Sequence, residues 1–312
     1  MRTKLALEVQ YLGKNYIGWQ PQPAVEGRSV YEAVHEALQA VGIDSGPVAA
    51  GRTDKGTHAM STWLTVGVRR STEVCAGPAR DDELSALCDA LNQHLPVDIR
   101  AIRIVDAPLS AHAMTGSTGK TYSYFLLCGA GAAHHTSWLS DASWALPDLL
   151  DVGAMEAALP RLVGRNDFRA LSAVQDPRRS TVRTIESATV QIVHRYHFPF
   201  LGCFDEPAAD SPAVTLLQIR LVGDGFLKHQ CRRIVGLLVR IGRKEEPPEA
   251  LFEAITQPLE FDRSRVLEAP ACGLWLEAVD CDAMRCPHDA ASRRTHGACP
   301  KRAAPPVDES EQ

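Results

Sequence analysis

Pro47-Val48-Ala49-Ala50-Gly51-Arg52-Thr53-Asp54-Lys55-Gly56-Thr57-His58-Ala59-Met60 is the stretch on which the reading of this chain turns. A short apolar run enters it, and an alternating run from Met60 to Val68 leaves it. Two strands therefore flank a polar loop hinged by Gly51 and Gly56, residues able to take φ > 0 and to lie close to a neighbouring backbone. The loop holds one carboxylate, Asp54, between Arg52 and Lys55. A guanidinium offers a two-pronged bond to a carboxylate or phosphate. A lone carboxylate at a strand end, with no partner acid, suits a nucleophile or general base acting on an anionic substrate. A polar β-turn carrying a surface ion pair has the same composition, so the flanking sequence must decide between them.

Upstream, Leu5, Leu7, Val9 and Tyr11 share one face and Glu8 and Gln10 the other, the period of a strand. Ser29-Val30-Tyr31-Glu32 is a capping box; Val30, Val34, Ala37, Leu38 and Val41 follow at helical spacing, and Gly42 supplies the stop. Downstream, Asp82 to His94 forms a second helix with Leu84, Leu87, Cys88 and Leu91 on one face, and Ile99 to Val105 a fourth strand. The order β-α-β-β-α-β is a ferredoxin-like split unit: two helices pack on one sheet face, and the other stays free, as in RNA-recognition modules.

The remainder reads as a looser copy. Strands are expected at Lys120 to Cys128, Val182 to His194, Val214 to Val222 and Leu274 to Val279. Helices are expected at Leu146 to Val163, weakened by Gly153 and Pro160, at Gly225 to Lys244 and at Pro248 to Thr256. The fold class is α/β (α+β): two ferredoxin-like, RRM-like halves with mixed, mainly antiparallel sheets abutting around a central cleft. The expected division is 1–107, carrying the Asp loop, 108–280, and a basic tail at 281–312.

Composition sets the frame: 45% hydrophobic and 23% charged residues describe an ordinary globular protein. There is no apolar run of about eighteen residues, hence no transmembrane helix. The chain passes from Met1 into a strand by Leu5, which leaves no room for a targeting segment. Nine cysteines, an odd count set mostly in apolar patterns, point to a reducing, intracellular compartment, without separating cytoplasm from nucleus or organelle. With a net charge of −5, any nucleic-acid site must be a local basic surface. The tail holds Cys281, Cys286, His288, His296 and Cys299, but their spacing matches no standard zinc pattern, and no metal site is assigned. Arg285, Arg293, Arg294, Lys301 and Arg302 make the same segment basic, and a disordered tail is expected, inert or touching phosphate backbone.

In the long second-half helix, Leu227, Cys231, Ile234, Leu238 and Ile241 form an apolar stripe, while Arg233, Arg240 and Lys244 fall on the opposite, solvated side. Arg232 lies with Val235 and Val239 on a flank bordering the core, where a guanidinium requires a partner or a route to solvent.

Gly51-Arg52-Thr53-Asp54-Lys55-Gly56 with His58 resembles the catalytic loop of tRNA pseudouridine synthases of the TruA type. Further segments agree in order: Tyr11 to Gln22, although Leu12 stands where an Asp is usual; Leu91-Asn92, Leu95-Pro96 and Asp98-Ile99; Lys120-Thr121-Tyr122-Ser123-Tyr124; Phe226 to Gly236; and Ala271 with Gly273 to Leu276. The resemblance spans about Leu5 to Asp280. It implies an isomerase that converts uridine to pseudouridine in tRNA, in or near the anticodon stem-loop, without a cofactor. Asp54, Tyr122 and Arg232 would be the catalytic set, with Arg232 paired to Asp54. Arg52, Lys55, His58, Lys14, Arg28, Lys120 and Lys228 would hold substrate, and the target nucleotide would be flipped out. Whether Asp54 attacks the sugar, attacks the base or removes a sugar proton stays open. Family members often form homodimers; no motif here marks the contact. One departure is Met114 in His112-Ala113-Met114, where many members carry an Arg. It leaves a second reading, an RNA-binding or RNA-chaperone module of the same fold with weakened catalysis. A third is a small-molecule enzyme on the same scaffold.

Overall fold

The first helix shows how closely local signals are obeyed. Strand β1 (Arg2–Tyr11) is followed by α1 (Val30–Ala40), with Ser29 and Glu32 forming both halves of the capping box. Next come β2 (Val48–Ala49), β3 (His58–Arg69), α2 (Pro78–His94) and β4 (Ile99–Ala107). The computed structural model describes residues 2–69, 78–129, 139, 141–173, 180–193 and 215–281. The second half contains β5 (Ser117–Cys128), β6 (Trp144–Leu146), α3 (Val152–Ala158), β7 (Gly164–Asp167), β8 (Val182–Val193), β9 (Thr215–Gly223), α4 (Gln230–Gly242), α5 (Glu249–Thr256) and β10 (Leu274–Cys281).

The strands of the first half lie in the order β4-β1-β3-β2, every neighbour antiparallel. Those of the second lie as β10-β5-β9-β8, again antiparallel throughout. This is one split β-α-β-β-α-β order used twice, so the looser copy seen in the sequence is a copy in topology. The sheets do not merely abut, as expected. Strand β10 pairs in parallel with the start of β3, Trp275 opposite His58 and Leu276 opposite Ala59, and the described strands make one ten-stranded sheet. The edge of β3 is shared: β10 takes His58 and Ala59, and β2 takes Leu64 and Thr65.

Other expectations are corrected. The helix expected over Leu146 to Val163 is broken up. Leu146 ends a strand, α3 spans only Val152–Ala158, and a 3-10 turn, Leu159–Leu162, runs through Pro160, which has no N–H for an α-ladder. The helix expected from Gly225 begins at Gln230, because His229 adopts a left-handed conformation with φ 61°. Arg233 is not on a solvated face: it donates to the Ser172 carbonyl at 3.0 Å and lies 3.4 Å from Glu268. Indeed α4 is buried nearly all round, with Val235, Leu237 and Val239 enclosed as well as the predicted stripe. The cause is a segment crossing its outer side, so close that a Cβ on Gly236 would fall 1.7 Å from the Leu267 carbonyl oxygen. Cys281, assigned to the tail, is the buried end of β10. The remaining tail, with its Cys, His and basic residues, lies outside the described residues, as do His194 and Val214. Among the described residues no helix is long and apolar enough to cross a membrane.

Candidate active site

The Asp54 loop is held by contacts that its sequence alone does not reveal. Residues 12–19, after β1, form a strap across it. The Trp19 N–H donates to the Thr53 carbonyl at 3.1 Å, and the Thr53 hydroxyl shares a 2.8 Å hydrogen bond with Tyr11. The approach is so close that a Cβ on Gly13 would sit 2.0 Å from the Thr57 carbonyl oxygen, and only glycine fits. The strap also ties the loop to α1, whose Val30 and Tyr31 N–H groups donate to the Gly18 and Trp19 carbonyls. Of the two hinge glycines only Gly56 has positive φ, at 78°, while the bare face of Gly51 makes room for the Lys120 ammonium.

His58 completes the clamp from beneath. It is fully buried, stacked on Trp275 at 4.3 Å between ring centroids. Its Nδ1 accepts from the Gly13 N–H at 3.0 Å, so Nε2 carries the proton and donates to the Cys272 carbonyl at 3.0 Å. Burial lowers its pKa and favours this neutral form. The expected substrate-binding role of His58 is therefore corrected: both nitrogens are spent on backbone, and the residue joins the strap, β3 and the 271–273 turn.

Above this clamp opens a cleft of about 340 Å³, lined by Arg52, Asp54 and Thr57 of the loop, Lys120 and Tyr122 of β5, Phe226 to Cys231 at the start of α4, and Leu274 of β10. The volume falls in the range of ordinary ligand pockets, about 300–1,000 Å³. The cleft lies on the α4 side of the sheet. Tyr122 faces it, whereas the next residue, Ser123, points the other way and bonds Glu277 and Gln218. Tyr122 packs edge-on against Phe226, its ring centroid 5.2 Å away at 83°, and burial pushes its hydroxyl well above the usual tyrosine range. Lys120 is largely enclosed, and burial lowers its pKa. Facing the Asp54 carboxylate is His229, whose Nε2 is 3.7 Å from Oδ2.

A model of the tRNA pseudouridine synthase family matches residues 158–282. The chain is 34% identical over 282 residues to tRNA pseudouridine synthase A of Moorella thermoacetica, covering 88% of this chain and 98% of that one. It is 30% identical to the Pelobacter propionicus protein of the same name, over 89% of this chain and 99% of that one. The corresponding protein of Nitrosomonas europaea is 31% identical over 90% of each. This chain belongs to the tRNA pseudouridine synthase family. The family's reaction is the isomerisation of uridine to pseudouridine in tRNA.

As a pseudouridine synthase the molecule gathers five of the predicted residues at the cleft: Arg52, Asp54, Lys120, Tyr122 and Lys228. Lys55 is exposed on the same loop, outside the lining. Lys14 and Arg28 lie apart from it, in surface ion pairs with Asp141 and Glu36. The direct Arg232–Asp54 bridge is corrected. Arg232 Nη1 lies 3.0 Å from Glu268 Oε1, and its Nε donates to the Ala269 carbonyl at 2.6 Å. The crossing segment at 266–270 brings that carboxylate to it, and nothing in the spacing of α4 announces that segment. Met114 is half exposed and is not part of the lining, so the departure there leaves the cleft intact. Sequence reasoning missed His229, Gln230, Thr57 and Glu268. His229 lies inside the quoted Phe226 to Gly236 motif, but helical spacing cannot mark a left-handed residue.

Proposed function

We propose that this chain converts a uridine of tRNA, in or near the anticodon stem-loop, to pseudouridine, with Asp54 as its essential carboxylate. The observation that carries the reading is the convergence of Asp54 and Tyr122, from the β2–β3 loop and β5, on one cleft. Breaking the C1′–N1 bond develops positive charge at C1′, and a fixed carboxylate stabilises or traps it. The base then turns, rejoins through C5 and loses its C5 proton. A base stacked in folded RNA cannot reach a cleft of this size, so the nucleotide is flipped out. Tyr122 packs against the flipped base, exposed Arg52 fills the space it leaves or holds a phosphate, and Lys120 and Lys228 meet the backbone. The reading takes 1–107 and 108–280 as the two units that form the cleft. It makes tRNA the partner, in an intracellular setting, with a homodimer as the assembly.

The test is tritium release from tRNA labelled at uridine C5, with the modified position mapped. Wild type releases label stoichiometrically from one site or a few. Asp54→Asn releases none, yet binds tRNA and melts normally. Near-normal turnover by Asp54→Asn removes the carboxylate from the chemistry. Binding without any release by wild type favours the RNA-binding module.

A further inference from the structure

His229 combines three unusual features at the mouth of α4. Among the described residues it is one of two non-glycine residues with positive φ, the other being Lys244. Left-handed backbone is uncommon for any residue with a side chain, although Asn, Asp and His take it more readily than others, and it concentrates at working sites. Its imidazole is not idle: Nδ1 lies 3.0 Å from Glu268 Oε2, and Nε2 faces Asp54 Oδ2 at 3.7 Å. The separation exceeds a normal N···O hydrogen bond by about 0.8 Å.

The protonation of the imidazole follows from its partners. Burial opposes the charge on Glu268, but Arg232, His229 and Arg233 outweigh it and hold the carboxyl below its usual range. An ionised carboxylate only accepts, so Nδ1–H donates to Glu268, and only the imidazolium, with a proton on both nitrogens, also presents a donor to Asp54. The groups facing the imidazole are Asp54 from the loop and Glu268 from the crossing segment, with Arg232 and Arg233 behind Glu268 and Lys228 and Lys120 along the same cleft.

We infer that His229 is a positioning residue for Asp54: as an imidazolium clamped at Nδ1 by Glu268, it presents Nε2–H to one Asp54 oxygen across 3.7 Å and leaves the other for the substrate. The inference rests on the reading of Asp54 as the essential carboxylate. It also gives Arg232 its part at one remove, because Arg232 fixes Glu268, Glu268 fixes His229, and His229 fixes Asp54.

Three variants test it by single-turnover tritium release at saturating tRNA, with tRNA affinity and melting temperature measured alongside. Asn accepts left-handed backbone but is too short to span Glu268 and Asp54, so His229→Asn melts no lower than wild type. It loses about 10- to 100-fold in rate, the scale of a misplaced catalytic group, with tRNA affinity changed less than about threefold. Glu268→Gln, which removes the carboxylate that clamps Nδ1–H and favours the imidazolium, loses rate in the same direction. His229→Ala regains turnover when free imidazole is added, whereas Asp54→Asn does not. A His229→Asn rate within about twofold of wild type overturns the inference, as does a rate loss matched by an equal loss of tRNA affinity. Failure of His229 alone is distinguishable from failure of the proposed function, in which wild type is inactive or Asp54→Asn is active.

Discussion

Lys120 is an ammonium held in a largely enclosed wall without an ion pair among the described residues. Burial depresses its pKa, so between the folded value and the ordinary 10.5 the unfolded chain binds more protons than the folded one. Stability contributed at this site therefore rises as pH climbs through that window, the reverse of a lysine that gains a partner. Lys120→Met should raise the melting temperature at neutral pH and flatten its rise toward alkaline pH. The same change should weaken tRNA binding and reduce its salt dependence by about one counterion, because a phosphate contact is lost. Calorimetry across pH and a salt titration check both. For the arginines of α4, Arg232→Lys and Arg233→Lys should each lower stability by about 1–3 kcal/mol in urea titrations, since both bond buried carbonyls and share Glu268. A large effect from Arg232 beside none from Arg233 would restore the solvated-face reading. At this scale the meeting of Asp54, Arg52, Lys120 and Tyr122 at one cleft was expected mainly from the family resemblance, since a strand end singles out Asp54 but alternation alone would leave Tyr122 in the core. The Arg232 partner was not, since helical phase names a side of the helix but not the segment that crosses it.

Among elements, the strap at 12–19 holds the Asp54 loop through Thr53 and Thr57. Gly13→Ala would push a methyl group into the Thr57 carbonyl, where backbone and not a flexible side chain must yield. A stability loss of about 1–3 kcal/mol is expected, as for other overpacked sites. Turnover should fall with tRNA affinity nearly unchanged, measured by urea midpoint and single-turnover rate. Gly42→Ala, where a Cβ meets nothing within 4 Å, should leave turnover alone and lose stability only through its positive φ. The strap entered the sequence reading only as the family-like segment Tyr11 to Gln22, and its target did not, because nothing local encodes a contact with a loop some forty residues away. Capped and periodic elements read well: the Ser29 box, the alternation of β1 and the strands β5 and β9 appear as expected, although β5 is buried on both faces. The three and four residues of β6 and β7 are too short to carry a period.

For the whole molecule, the repeated strand order shows why halves with no visible sequence repeat share one architecture. Burial pattern and handedness constrain topology more tightly than they constrain residue identity. What hydrophobic spacing could not reveal is the fusion of the two sheets, because a parallel pairing of two residues leaves no periodic trace. With β10 bonded to both β3 and β5, and His58 tied to Trp275 and Cys272, the halves should unfold together. A single calorimetric transition, with calorimetric and van't Hoff enthalpies equal, is the expected result. Two resolved transitions would mean that the seam contributes little. All cleft-lining residues lie between Arg52 and Leu274, so removal of 282–312 should leave single-turnover rate unchanged.

The place of β10 in the chain has a consequence for timing. It is the last described strand to be synthesised, yet it closes on β3, and the His58–Cys272 bond joins residues 214 positions apart. Until that strand and the turn before it have emerged, the cleft lacks Leu274 and His58 has neither its stacking partner nor its carbonyl. A nascent chain surrounded by tRNA thus carries the Asp54 loop but no assembled centre. Competence to act on the translation apparatus's own adaptors arrives only after β10 has emerged and closed on β3.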